Sequence, residues 1–148
     1  MRVAHQGLAV ATPRGWDARI YRRSAAHDGE ITRPVLHAAD FPLPNVRGDY
    51  GSGAVEIMGP GHVFLSLIEF DSAEAATALF NHPRPTRITA GEFGPNQLQR
   101  GLPGQAGAQF FFTERGRAFC LYVVIGSFED RHTLVPRADE IFQTMEVA

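Results

Sequence analysis

The chain of 148 residues is predicted to fold as one α+β domain spanning residues 1–148, a mostly antiparallel β-sheet with helices packed on its faces. Three observations predict this. Several runs alternate apolar and polar residues with the period of a strand, and Gly- and Pro-rich turns separate them. Two further segments carry helix-start signals, one of them with an apolar stripe at i, i+3, i+4 and i+7. The chain is also 44% hydrophobic, and a compact domain of this length buries roughly 70% of its unfolded surface, so one core needs no staples. No internal repeat, low-complexity tract or linker divides it.

Taken in order, Leu8 and Val10 belong to a first strand ahead of the turn Pro13-Arg14-Gly15. Trp16, Ala18 and Ile20 then alternate with Asp17, Arg19 and Tyr21 in a half-buried strand, with Trp16 expected to anchor the core. Residues 31–39 read as a weaker strand, placed at a sheet edge by Pro34. Residues 54–58 and 62–70 read as a hairpin around Gly59-Pro60-Gly61. Asp71 or Ser72 can cap a helix over about 73–80, with Ala73, Ala76 and Phe80 on one face and Asn81-His82-Pro83 ending it. The strongest hairpin joins 108–113 to 117–126 through Glu114-Arg115-Gly116. Its second strand is apolar on both faces and so belongs in a covered, central position. The last helix is expected to start near Pro136, with Asp139 and Glu140 favouring its positive end. Ala138, Ile141, Phe142 and Met145 form its buried stripe, and Glu146-Val147 closes the chain as a short strand.

All 14 basic residues are arginine, set against 16 acidic ones. Without lysine there is no Schiff-base chemistry, no lysine-anchored pyridoxal phosphate and no P-loop lysine. The net charge of −2 gives no electrostatic footprint for nucleic acid. Arg19, Tyr21 and Arg23 share one strand face that could stack single strands, but Asp17 in the same row makes it a solvated face. Cys120 is the only cysteine, so no internal disulfide forms. Its apolar strand marks it as a buried, inert thiol. No run of 18 apolar residues and no secretory apolar segment occurs, so a cytoplasmic protein without a membrane span is expected.

The motifs of the chain carry little chemistry. His5, His27, His37, His62, His82 and His132 fall in no metal-binding spacing, so only distant residues could assemble such a site, and no cofactor is expected. Gly51-Ser52-Gly53 lacks the first glycine of a nucleophile elbow because Tyr50 stands there. Gly101, Gly104 and Gly107 match no phosphate loop, and Arg47-Gly48-Asp49 is a tripeptide that recurs by chance. The carboxylate pairs Glu129-Asp130 and Asp139-Glu140 sit in a loop and at a helix start.

Pro13-Arg14-Gly15-Trp16, leading from one strand into the next, resembles the P-x-G-W opening of PsbP-like domains. That opening also occurs in the related Ran-binding Mog proteins and in small bacterial chaperones for secreted effectors. The ending is similar as well: a long strand from Ala118 to Ile125, a loop, a helix and a terminal strand. The resemblance implies an α/β/α sandwich and a non-catalytic accessory or protein-binding role, chaperone-like in some members. The family's metal- and partner-binding residues have no matching motif here, so none is carried over.

A protein partner is accordingly expected, with its surface on the Gly/Pro-rich loops at 42–53 and 83–107. In and beside them stand Phe41, Leu43, Tyr50, Arg84, Arg87, Phe93, Leu98, Arg100 and Leu102. Tyr50, Arg84, Arg87 and Arg100 are the candidate contact residues, since Tyr and Arg are enriched at binding hot spots. The competing expectation is a small metal-independent enzyme or ligand-binding protein with its pocket under the 83–107 loop.

Overall fold

The computed structural model describes residues 1–148. Two antiparallel sheets and one α-helix make up the α+β architecture. The smaller sheet has three strands in the order β1 (Arg2–His5), β2 (Leu8–Ala11) and β8 (Glu146–Val147). The larger sheet runs β3 (Asp17–Arg22), β4 (Pro34–Ala39), β5 (Val63–Phe70), β7 (Arg117–Ile125) and β6 (Ala106–Glu114). The helix α1 spans Arg131–Thr144.

Two tight turns set the hairpin registers. Arg115 and Gly116 have φ of 53° and 73°, so Glu114 pairs directly with Arg117. Gln6 and Gly7 do the same at φ 53° and 78°, pairing His5 with Leu8. Two consecutive positive φ values match the twist of flanking strands, which is why such two-residue loops close hairpins. The strand Arg2–His5 was not expected from its polar composition; pairing with β2 makes it.

Several expectations need correction. The strand with Pro34 lies inside the sheet, between β3 and β5, and all six of its residues are buried. Pro34 is tolerated because it is the first residue of the strand. Residues 54–58 form no hairpin arm: Val55–Ile57 is a single 3-10 turn with Val55 buried. The helix expected over 73–80 is reduced to a 3-10 turn, Ser72–Ala76. Asp71 does cap it, accepting from the Ala73 N–H at 2.9 Å. None of its residues is buried, however, so no packed stripe extends it. Helix α1 starts five residues before Pro136, which sits inside it. Pro136 is exposed, so the carbonyl it leaves without a donor, that of the exposed His132, faces water.

The two faces of the larger sheet bury different things. On one face, Leu36, Leu65, Leu67, Leu121 and Val123 share a core with Leu134, Ala138, Ile141 and Phe142 of α1. Trp16 packs against this core but stays only partly buried, so it is not the full anchor expected. On the other face, Ala39, Phe64, Tyr122 and Val124 are covered by Phe41, Leu43, Ala54 and Val55 from the 41–58 segment. Only one helix therefore packs on the sheet, and a loop takes the place of a second helical layer. No helix is long and apolar enough to cross a membrane.

Candidate functional site

The 41–58 segment is pinned to the sheet by a buried polar cluster. The strand register places His37 opposite Ser66, and both side chains stand on the loop-covered face. Ser66 Oγ donates to the Asp49 carbonyl at 2.6 Å, and His37 Nε2 lies 3.0 Å from the same oxygen. Arg47 Nε donates to His37 Nδ1 at 2.9 Å. A carbonyl can only accept and a guanidinium can only donate, so the ring carries its single proton on Nε2 and is neutral. Burial pushes the His37 pKa down to about 4, and the adjacent Arg47 charge acts in the same direction, against the Asp49 hydrogen bond.

Tyr21 completes the clamp, donating to Asp49 Oδ1 at 2.8 Å, while Arg23 pairs with Oδ2 at 3.1 Å. Burial and that hydrogen bond raise the Tyr21 pKa. Asp17 accepts from the Leu43 N–H at 2.9 Å and holds the other arm of the loop. At Gly51 the backbone has φ +87°, and a Cβ there would lie 2.5 Å from the Phe64 ring, so only glycine lets the loop settle this closely. His37 and Ser66 are both 0% exposed. His37, Ser66 and the Tyr21 hydroxyl are thus spent on seating the loop. The sequence signal for it is a polar residue inside each of two apolar strands, Val35–Ala39 and Val63–Ile68.

Cys120 lies on the same face, 0% exposed, its thiol pushed up to about 12 by burial. Native protein at pH 8 is therefore expected to resist iodoacetamide, reacting only as fast as it unfolds. Labelling that outruns unfolding, followed by mass spectrometry, would contradict the burial.

The structure separates the four candidate contact residues. Tyr50 and Arg100 come together, lining a small cavity of about 190 Å³ with Tyr122 and Glu56. Tyr50 is half-buried, edge-on to Tyr122 with ring centroids 5.4 Å apart, and Arg100 pairs with Glu56 at 2.9 Å. Arg84 lies on the helix side, where it binds Glu114 at 3.1 Å and donates to the Phe142 carbonyl at 2.7 Å. Its guanidinium also stacks over the Phe142 ring, 4.2 Å from the centroid. Arg87 is exposed on the stretch that passes α1, beside Ile88, whose N–H donates to Asp139. Phe41, Leu43 and Phe93 are buried, and Leu98 and Leu102 partly so, which makes them packing residues of the loops.

A larger concavity does lie under the end of the 83–107 loop. Its volume is about 850 Å³, and Met58, Pro60, Pro95, Leu102, Pro103 and Phe128 supply its side-chain walls. Gly126 helps to close one side: a Cβ there would lie 2.0 Å from the Gly59 carbonyl oxygen, so the two backbones meet only through glycine. Gln105 also lines the cleft and is 6% exposed. Its Nε2 donates to the Val55 carbonyl at 2.8 Å, which fixes the amide and leaves Oε1 without a partner. Glu129 is the one charged residue of the lining. No group of three or more His, Cys, Asp and Glu side chains converges on a common point.

No protein-family model, curated protein or solved structure matches the chain.

Proposed function

We propose that this chain is a non-catalytic protein-binding module of the PsbP-like type, taking a segment of its partner into the cleft under the 83–107 loop. The observation that carries this reading is the make-up of that cleft. Its accessible lining consists of prolines, glycine backbone, Met58, Leu102 and Phe128, with Gln105 and Glu129 as its larger polar side chains. These are groups of recognition: apolar walls, exposed main chain and a few directional contacts on loops flanking the larger sheet. Among the groups that could carry acid–base or nucleophilic chemistry, His37, Ser66 and Tyr21 are tied to Asp49 under the 41–58 segment, and the cleft lining holds no histidine or cysteine and a single hydroxyl, that of Ser127. The Pro13-Arg14-Gly15-Trp16 opening and the antiparallel α+β class support the family reading, from whose α/β/α sandwich the single helical layer departs.

The free Gln105 Oε1 favours one second reading, a small ligand whose N–H or O–H donor meets it. A photo-crosslinking residue placed at Pro103, exposed at the cleft, separates the two in the cells that make the protein. The protein-binding reading requires a discrete protein adduct at Pro103 and none from the same probe at the exposed Ile31. A co-purifying small molecule of defined mass, lost in Gln105→Leu, would select the ligand instead. Equal cross-linking at both positions, or none at Pro103, would remove the cleft from the account.

A further inference from the structure

The outer edge of β6 is closed at both ends and open in the middle. Gly107 and Gly94 exchange both of their backbone hydrogen bonds, each 3.1 Å long. Six residues on, the Thr113 N–H donates to the His82 carbonyl at 2.9 Å. The register with β7 runs unbroken from Ala106 to Glu114, so N–H and C=O groups alternate inward and outward without a slip. Gly107 and Thr113 both bond outward. By that alternation Gln109 and Phe111 point their backbone groups outward too. No other strand or loop takes them: the chain leaving His82 swings to the helix side, where Ile88 and Phe93 enter the core, before returning at Gly94.

We propose that this gap, Gln109 to Phe111, is a strand-addition site for a single extended segment of a partner protein. Its residues are not among those lining the cleft, and it stands on its own observation. An unpaired strand edge is a template for another chain, with main-chain bonds giving affinity and flanking side chains giving selectivity. The flanks are apolar. Phe110 is partly buried against the helix-side core, and Phe111 is half-buried on the other face, edge-on to Phe80 at 5.4 Å. The occupant therefore carries apolar side chains at two neighbouring positions, one opposite Phe110 and one opposite Phe111. Gln109 asks less of its neighbour, since its side-chain amide reaches the Gln97 carbonyl at 3.5 Å.

The two end caps decide what fits. The segments at His82 and Gly94 already occupy the position of the next strand on either side of the gap. A second copy of this chain, pairing β6 with β6, would drive its own caps into them. A lone extended peptide about 10 Å long between the caps meets no such obstacle.

The probe is a blocked Val-Val-Val peptide at millimolar concentration, with amide exchange of the full-length protein followed by NMR. In the free protein the Gln109 and Phe111 amides should exchange at least tenfold faster than those of Phe110 and Phe112. The peptide should slow those two by tenfold or more and leave the rest of β6 unchanged. The same peptide N-methylated at alternate residues, with its side chains kept, should lose this effect. Gln109→Pro removes one outward donor at an edge position where proline is tolerated, and it should weaken peptide binding at least tenfold. Should that variant fail to fold, the N-methylated peptide decides the question alone. Three results would overturn the site: Gln109 and Phe111 already protected in the free protein, peptide without effect on them, or N-methylation without consequence. Protection that grows with protein concentration in the absence of peptide would replace the lone segment by self-association.

Discussion

Replacing Arg117 by alanine is expected to destabilise the protein by about 3–5 kcal/mol, the cost of stranding a buried partner charge. Glu69 is 3% exposed, and both of its carboxylate oxygens are held by Arg117, at 2.7 and 3.0 Å. The rest of the guanidinium joins the two sheets. It donates to the carbonyls of Gln6 and Gly7 in the β1–β2 turn and to Ala148 O beyond β8, at 3.1–3.3 Å. Removing it both exposes an uncompensated carboxylate to a dry environment and unties the smaller sheet. Guanidinium unfolding followed by circular dichroism measures the loss. A cost below about 1 kcal/mol would place the pair with ordinary surface bridges. The double variant Arg117→Met, Glu69→Leu should recover much of the loss, because removing both charges leaves none unpaired.

Between pH 6.5 and about 4, His37 alone should withdraw about 3 kcal/mol of stability. Folding holds the imidazole neutral, with its pKa at about 4 against 6.5 for the free side chain. In that interval the unfolded chain binds a proton that the native protein refuses. Stability from this group is therefore complete above pH 6.5, is lost as pH falls towards 4, and changes no further below that. At about 1.4 kcal/mol per pH unit the interval gives the figure above. The surroundings explain the refusal: Arg47 donates to Nδ1, the Asp49 carbonyl faces Nε2, and the rings of Tyr21 and Phe64 pack edge-on at 5.2 and 5.0 Å. A proton on Nδ1 would face the guanidinium. His37→Gln can keep both hydrogen bonds and cannot titrate, so its urea midpoint should vary less between pH 7 and pH 4.5 than that of the wild type. Parallel pH profiles for the two proteins would refute the assignment.

Elements whose signal is local are legible in the sequence. The β6–β7 hairpin follows from Arg115-Gly116 and the apolar alternation beside it, and it forms within two residues of the expected limits. The buried stripe Ala138, Ile141, Phe142 of α1 was equally clear, although the helix begins earlier because Leu134 and Val135 extend its apolar face. The 73–80 segment misled for a physical reason. It has a good cap at Asp71, but the turn Ser72–Ala76 buries none of its residues and the buried Phe80 lies beyond it, and a cap without a packed face sustains no more than a turn. Residues 54–58 misled in the opposite way. Their apolar content reflects the cover they place over Phe64 and Tyr122 rather than strand pairing.

Periodicity and composition by themselves determined the α+β class, the covered position of β7, the burial of Cys120 and the absence of lysine chemistry. The last is composition alone, and the others depend on residues close together in the chain, where burial leaves its mark directly. Tertiary structure alone decided that β4 is interior and that Tyr50 and Arg100 line one cavity while Arg84 is drawn to the helix side. It also decided that Tyr21, His37 and Ser66 converge on Asp49, from 28, 12 and 17 residues away. Such meetings follow from the register and order of the whole sheet, which bring distant side chains onto one face, and no local pattern records that pairing.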